Sequence, residues 1–274
     1  MPPYEGSIAS VTPTVCDLFG VQPPNICDHP PLASVRAAFA DRLGNSPIER
    51  CLIYCPDALG DHLWARFPQQ RSAIDQHCSH RVSLHAAFPP KTPVCFASVF
   101  TGAPPEVHGI RRYEKPVLAC ETLFDVLIRS GRKVAIVAVR DSSIDLLFRN
   151  RAIDYFSEPY DQEVTARALT LLAEDAHDLV VIYHQQYDDQ VHQTQPFSES
   201  CIAAMHHHVA SSQTLVAAAT DAWRDRTWAA VVAPDHGAHL DPQTQRGDHG
   251  ADIPEDMAVS HWYTVQSPST LGSH

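Results

Sequence analysis

The sequence predicts an α/β fold, a doubly wound, mostly parallel central sheet with helices on both faces. Three observations carry this. Short apolar runs recur along the chain: CLIYC at Cys51–Cys55, KVAIVAV at Lys133–Val139, LVVIY at Leu179–Tyr183 and AAVVA at Ala229–Ala233. Near-continuous runs of this length suit strands covered on both faces. Segments with helical spacing separate them, the alternation that builds a parallel sheet. Three of the runs lead into Asp or His (Asp57, the Asp188 region, Asp235-His236), and ligands of such sheets bind at the carboxyl ends of strands.

Taken in order, residues 1–48 are Pro-rich, with helix-like stretches at Ser7–Phe19 and Leu32–Leu43. CLIYC, bounded by Pro56, reads as a buried strand followed by Asp57-Ala58-Leu59-Gly60-Asp61. A helix over Trp64–Ile74 and a strand over Ser83–Phe88 lead through Pro89-Pro90 to Lys91-Thr92-Pro93. Pro is tolerated in the first turn of a helix and Thr is a good N-cap, so a helix is expected through Phe100. Thr92 then sits where free backbone N–H groups and the positive end of the dipole meet. That place suits an anion or an activated oxygen nucleophile, and equally an ordinary helix cap. Glu121–Ser130 reads as a helix stopped by Gly131, followed by the Lys133–Val139 strand. An amphipathic helix at Asp161–Ala176 feeds the Leu179–Tyr183 strand. The long helix Ser198–Arg224 feeds Ala229–Ala233, and Met257–Val265 is a final strand. Without a repeat, linker or low-complexity tract, one domain over residues 1–274 is the simplest organisation, with residues 1–48 packed on a core at about 51–265.

Composition narrows the function. A formal net charge of −12 excludes general binding to nucleic acid or anionic membranes. A small anionic substrate stays compatible, because a metal ion can reverse the local field. No apolar run reaches the length of a membrane span, and the N-terminus lacks the basic and apolar regions of a signal peptide, so a cytoplasmic location is expected. The eight cysteines are scattered with no CxxC pair, which reads as free thiols of a reduced compartment. The unusual number is 17 histidines, several of them beside aspartates.

Asp188-Asp189-Gln190-Val191-His192 puts a carboxylate and an imidazole within one helical turn or a tight loop, a pairing that suits zinc or two surface residues. Asp235-His236-Gly237, directly after a strand, lets neighbouring side chains reach one ion. His249 lies between glycines, where a plain turn is the alternative, and Asp57 could be a helix cap. Together these supply three Asp, three His and a Thr, enough for two metal sites and a nucleophile. Two cations about 3.5–4 Å apart lower the pKa of a hydroxyl and clamp both oxygens of an in-line displacement. Thr is a weak nucleophile without such help.

CLIYCPDALGD, KTPVCFASVFTGAPPEVHGI, YDDQVHQTQP, APDHGAHLD and GDHGADIPEDM occur in one order over about residues 51–265. In these blocks the chain resembles the alkaline phosphatase superfamily, nearest in pattern to its type I phosphodiesterase/nucleotide pyrophosphatase and phosphonoacetate hydrolase branches. The resemblance implies one divalent ion held by Asp57, Thr92, Asp235 and His236, with Thr92 the nucleophile that becomes phosphorylated. It implies a second held by Asp188, His192 and His249, which activates the water that releases phosphate. Two Zn2+ ions are the usual pair, with Mn2+ in some members. The implied activity is hydrolysis of phosphate mono- or diesters through a phospho-threonine. Cleavage of a phosphonate C–P bond, phosphoryl transfer, and a binding module without catalysis are the alternatives.

The sequence departs from the branch where an Asn usually follows the nucleophile, a place taken here by Val94-Cys95, and where another usually lies beyond the helix, taken by Arg111-Arg112-Tyr113. Arg or Tyr there would still donate to a phosphoryl oxygen. Arg111, Arg112, Lys115 and Arg140 are the candidate anion contacts, the first two ranked highest for following His108-Gly109. Gln195 stands where Gly is common. The triple His206–His208 reads as structural or incidental, and His239 and Asp241 as supports for ligands or turn caps. SVTPTVCDLFGVQPP resembles a segment that follows the last metal block in many relatives. Residues 7–24 are therefore expected to fill that place from the other end, close to the Met257–Val265 strand.

Overall fold

The computed structural model describes residues 4–44 and 46–268. Strand β1 (Gly6–Ser7) and a 3-10 turn lead into α1 (Val11–Phe19), α2 (Ala33–Ala38) and α3 (Ala40–Leu43). Next come β2 (Arg50–Pro56), α4 (Asp61–Arg66), α5 (Pro68–Asp75), β3 (His80–His85), α6 (Thr92–Thr101) and the single turn α7 (Pro105–His108). The middle of the chain forms α8 (Leu123–Arg129), β4 (Val134–Val139), α9 (Ser143–Leu147), β5 (Asp154–Glu158), α10 (Asp161–Glu174), β6 (Leu179–His184) and α11 (Gln186–Gln193). The last part holds α12 (Glu199–Ala222), β7 (Trp228–Val232), the ribbon β8 (His239–Leu240) and β9 (Gly247–Asp248), α13 (Pro254–Met257) and β10 (Ala258–Gln266).

Eight strands form one sheet in the order β1-β3-β10-β7-β2-β6-β4-β5. Strand β10 is antiparallel to both neighbours and every other pairing is parallel, so β10 alone opposes the rest. Side chains alternate across the pleat. Cys51, Ile53 and Cys55 face a core closed by α1, α6, α8 and α9, whereas Leu52 and Tyr54 face one closed by α4, α5, α10 and α12. The expected doubly wound α/β architecture is present.

Helix α6 is buried along its whole length, as a helix apolar on all sides must be. Its Phe96 and Phe100 pack with Tyr183, Phe124 and Phe148. Truncating such an aromatic to Ala costs about 3–5 kcal/mol. Thr92 thus starts a helix that has little freedom to move.

The boundaries differ from expectation for local reasons. The Trp64–Ile74 stretch breaks at Phe67, because Pro68 disfavours helical geometry in the residue before it. Leu32–Leu43 breaks at Phe39, and the Ser7–Phe19 helix begins only at Val11, after the β1 strand. Strand β5 is half-exposed at the sheet edge and carries no alternating signal. At the other edge β1 pairs with β3, and α1 shares an apolar cluster with Val259, Tyr263 and Val265. The N-terminal segment thus joins the sheet near the last strand through β1, which β3 alone separates from β10. All eight cysteines are free thiols. No helix among the described residues is long and apolar enough to cross a membrane.

Candidate active site

Strands β6, β2 and β7 lie side by side and parallel, so their carboxyl ends share one rim. Asp57 follows β2, Asp188 lies in the first turn of α11 after β6, and Asp235-His236 follow β7. Strand β3 runs the same way and delivers α6, the antiparallel β10 starts from this rim, and His249 directly follows β9. The Asp57 and Asp235 loops touch through glycines. A Cβ on Gly60 would lie 2.4 Å from the Gly237 Cα, and one on Gly237 would lie 2.0 Å from the Glu255 carbonyl oxygen. Only glycine permits that approach.

The seven residues expected to hold cations gather in two adjoining clusters. In the first, His236 Nε2 lies 3.5 Å from Asp57 Oδ1, 3.2 Å from Asp235 Oδ2 and 3.4 Å from Thr92 Oγ1. In the second, Asp188 Oδ1 lies 3.5 Å from His192 Nε2 and 3.4 Å from His249 Nε2, and those two nitrogens are 3.1 Å apart. The His236 and His249 rings stack at 3.9 Å between centroids, which joins the clusters. His249 Nδ1 donates to the Pro90 carbonyl at 2.7 Å and His236 Nδ1 to the Gly237 carbonyl at 3.0 Å. These bonds fix the tautomers and leave each Nε2 lone pair facing the cluster. Thr92 is the first helical residue, with Lys91 as N-cap, so its hydroxyl is not spent on capping.

Asp57 Oδ1, Asp188 Oδ1 and Asp235 Oδ2 are buried without a hydrogen-bond partner. An unpaired buried acceptor is costly, and a charged one more so. Burial, then Asp235 and Asp188, hold the Asp57 carboxyl well above its ordinary range, against the lowering effect of a hydrogen bond from Tyr183. Burial pushes Asp188 up to about 7, with His236 opposing and Asp235 adding to the rise. Burial, then His236 and Lys91, keep the His249 imidazole neutral. Imidazole nitrogens around carboxylates with orphaned oxygens form a donor set that fits two divalent cations. A polar cavity of about 150 Å³ opens on Asp57, Thr92, Tyr183 and Asp188.

Residues 56–272 match the type I phosphodiesterase / nucleotide pyrophosphatase family. The chain belongs to this family. It belongs with it to the alkaline phosphatase superfamily, whose members use divalent metals. No curated protein sequence matches it significantly. Human ectonucleotide pyrophosphatase/phosphodiesterase 5 is similar in structure, with a TM-score of 0.53 at 16% identity over 71% of this chain and 59% of that one. Phosphonoacetate hydrolase from Sinorhizobium meliloti, in complex with phosphonoacetate, gives 0.51 at 17% identity over 70% and 57%. A 2-O GAG sulfatase gives 0.53 at 15% identity over 81% and 64%. Identities this low speak for the fold alone, and the chain spans less than two thirds of each of these structures. A murine ectonucleotide pyrophosphatase/phosphodiesterase 5 in complex with AMP is an inactive form with a Thr replaced by Ala.

The wall of this family member's cavity differs from the sequence ranking. Tyr113 lines it, together with Lys115 and Arg140. Arg111 and Arg112 do not: both are exposed, Arg111 donating to the Glu106 carbonyl at 3.1 Å and Arg112 pairing with Glu114 at 2.9 Å. Val94 and Cys95 point into the core with no exposure. His239 supports a ligand loop through a 2.7 Å bond to the buried Asp256, which also accepts from the Gly250 and Ala251 amides at 2.9 Å each. Asp241 only caps its own turn. Tyr183, Gln185, Asp189 and Lys91 went unrecognised in the sequence. Lys91 donates to the His249 carbonyl and lies 3.4 Å from Asp248. Its place directly before Thr92 was the one available signal.

Proposed function

We propose that the protein is a two-metal-dependent hydrolase of small phosphate esters that works through a phospho-threonine. The reading rests on one observation: three orphaned carboxylate oxygens lie in two Asp/His clusters beside a buried Thr hydroxyl at the start of a rigid helix. Asp57, Thr92, Asp235 and His236 would hold one cation, and Asp188, His192 and His249 the other. Two divalent cations, when bound, lower the pKa of hydroxyl and water oxygens and offset charge on a phosphoryl group.

Thr92 Oγ attacks phosphorus, the bond to the ester oxygen breaks in line, and the leaving group departs as its alcohol after taking up a proton. Water then cleaves the bond between phosphorus and the Thr92 oxygen, restoring the hydroxyl and freeing inorganic phosphate from a monoester or a phosphomonoester from a diester. The α6 N-terminus directs its dipole at the charge that develops. Tyr183, donating to Asp57, fixes that carboxylate. The inactive Thr→Ala form of the murine relative is consistent with the role given to Thr92.

Lys115 and Arg140 on a small, wholly polar cavity wall favour a compact substrate with a second anionic group, and so keep C–P cleavage of a carboxylated phosphonate as the second reading. The experiment is acid quenching of zinc-loaded protein during turnover of labelled mono- and diesters and of phosphonoacetate. Label on Thr92, absent from Thr92→Ala, is expected. Full turnover by Thr92→Ala would overturn the covalent route, and turnover only of phosphonoacetate would select the second reading.

A further inference from the structure

Beneath the rim lies a third Asp/His cluster, Asp161, His184 and His208, all buried. It resembles a metal site in composition, but its atoms are already paired. The Tyr187 backbone N–H donates to His208 Nε2 at 3.1 Å, and His208 Nδ1–H donates to the Tyr54 oxygen at 3.0 Å. Tyr54 O–H donates to His184 Nδ1 at 3.0 Å, and His184 Nε2–H donates to Thr165 Oγ1 at 3.1 Å. Thr165 in turn donates to the Asp161 carbonyl at 3.0 Å. Every ring nitrogen is used, in one direction, with both imidazoles neutral. A cation at His208 Nε2 would displace the Tyr187 amide.

The chain of bonds ends where it matters. Helix α11 has no side-chain cap of its own, and the first N–H groups of a helix have no partner within it. Asp161 Oδ1 accepts from the Gln185 amide at 3.0 Å and Oδ2 from the Gln186 amide at 3.1 Å; His208 takes the next, Tyr187. Three consecutive amides are thus held by α10 and α12. The residue that follows is Asp188.

We infer that Asp161 and His208 are positioning residues for the cation held by Asp188, His192 and His249, acting together as an external cap that sets the place of α11 against the rim. The inference rests on the two-metal reading above. Asp188 and His192 sit one turn apart on α11 while His249 arrives from the β9 loop, so a shift of the helix start opens one side of the triangle and leaves the Asp57, Asp235, His236 cluster as it is.

The test is zinc titration of the full chain against a competing chelator, with backbone amide exchange measured at residues 185–187. Wild type is expected to bind two equivalents. His208→Leu, which leaves the Tyr187 amide unpaired, is expected to weaken one by about tenfold, the low end for residues that support metal ligands, and to speed Tyr187 exchange by a similar factor. His208→Gln, which keeps an acceptor, is expected to restore both. In a His249→Ala background, His208→Leu should leave the remaining ion unchanged. Equal weakening of both ions, or of neither, would overturn the inference. So would a third equivalent in wild type that His208→Leu removes. If His208→Leu does not fold, Tyr54→Phe loses the oxygen that orients His208 and is expected to give the same selective loss, about threefold. Fewer than two equivalents in wild type would count against the two-metal reading, while exchange at Tyr187 still judges the cap.

Discussion

Two regions of this protein are built from the same residues and do opposite things with them. At the rim, Asp57, Asp235 and His236 adjoin Asp188, His192 and His249. Below it lie Asp161, His184 and His208. Both regions are largely buried and both hold carboxylate and imidazole atoms within a few ångströms. They differ in what each atom has as a partner. Three rim carboxylate oxygens have none, whereas both Asp161 oxygens accept backbone amides and all four ring nitrogens of its histidines are paired. Composition shows that a cluster could take an ion. The unspent lone pairs mark the rim as the cluster whose atoms are free to take one.

The largest effect that sharpens this contrast is on turnover. Thr92→Ala is expected to lower kcat by at least about a thousandfold, the scale of losing a nucleophile, with both zinc ions retained. Asp235→Asn comes next. It replaces a buried carboxyl whose Oδ1 accepts from the Ala58 amide at 3.2 Å but whose Oδ2 has no partner in the metal-free protein, so chelated protein should gain about 1–3 kcal/mol in urea unfolding while zinc affinity falls. A loss of apo stability instead would mean that the rim is paired as the lower cluster is.

That difference marks what a sequence can show. Asp57, Asp235 and His236 were legible because each closely follows an apolar run, and Asp188 with His192 because four residues make one helical turn. Thr92 was legible from Pro93 and the apolar stretch behind it, though Lys91 proved to be the cap. The external cap was not legible. His208 and Tyr187 are 21 residues apart and Asp161 and Gln185 are 24 apart, and each pair meets only through the packing of α10 and α12 around β6. The ranking of Arg111 and Arg112 went astray for a related reason. Nearness to His108-Gly109 in sequence does not say which way the chain turns, and it turns to bring Tyr113 and Lys115, not the arginines, onto the cavity.

Each region holds a buried carboxyl pushed up and a buried imidazole pushed down, which contribute with opposite sign in chelated protein. Asp188 and Asp161 are both raised to about 7, and burial lowers both His249 and His208. Asp188 holds its proton up to about 7, so between about pH 4 and 7 the folded state binds a proton that the unfolded chain has released. Its contribution therefore lowers stability as pH rises through that window. Burial lowers His208 to about 3, so between about pH 6.5 and 3 the unfolded chain binds the extra proton and stability rises with pH. Each slope is about 1.4 kcal/mol per pH unit at most. Asp188→Asn removes the rim's falling part and leaves that of Asp161, so its urea midpoint should climb more steeply than that of wild type from pH 4.5 to 6.5. Zinc should do the same for wild type, since ion binding releases the Asp188 proton. An unchanged slope would mean that Asp188 is already ionised in the metal-free rim.

The smallest effects separate the cavity wall from its surroundings. Lys115 lies against the Tyr113 ring and donates to the Asp141 carbonyl at 2.8 Å, which places its charge on the wall with little left to order when substrate binds. Lys115→Ala is expected to raise KM about tenfold for a substrate with a second anionic group, about 1.4 kcal/mol, and much less for one without it. Arg112→Ala removes only an exposed ion pair with Glu114, and such pairs contribute little. Its kinetics should stay within about twofold of wild type for both substrates. A tenfold loss in Arg112→Ala with Lys115→Ala unaffected would restore the ranking that the sequence suggested, and would require the residue 109–115 loop to turn its arginines inward when substrate is present.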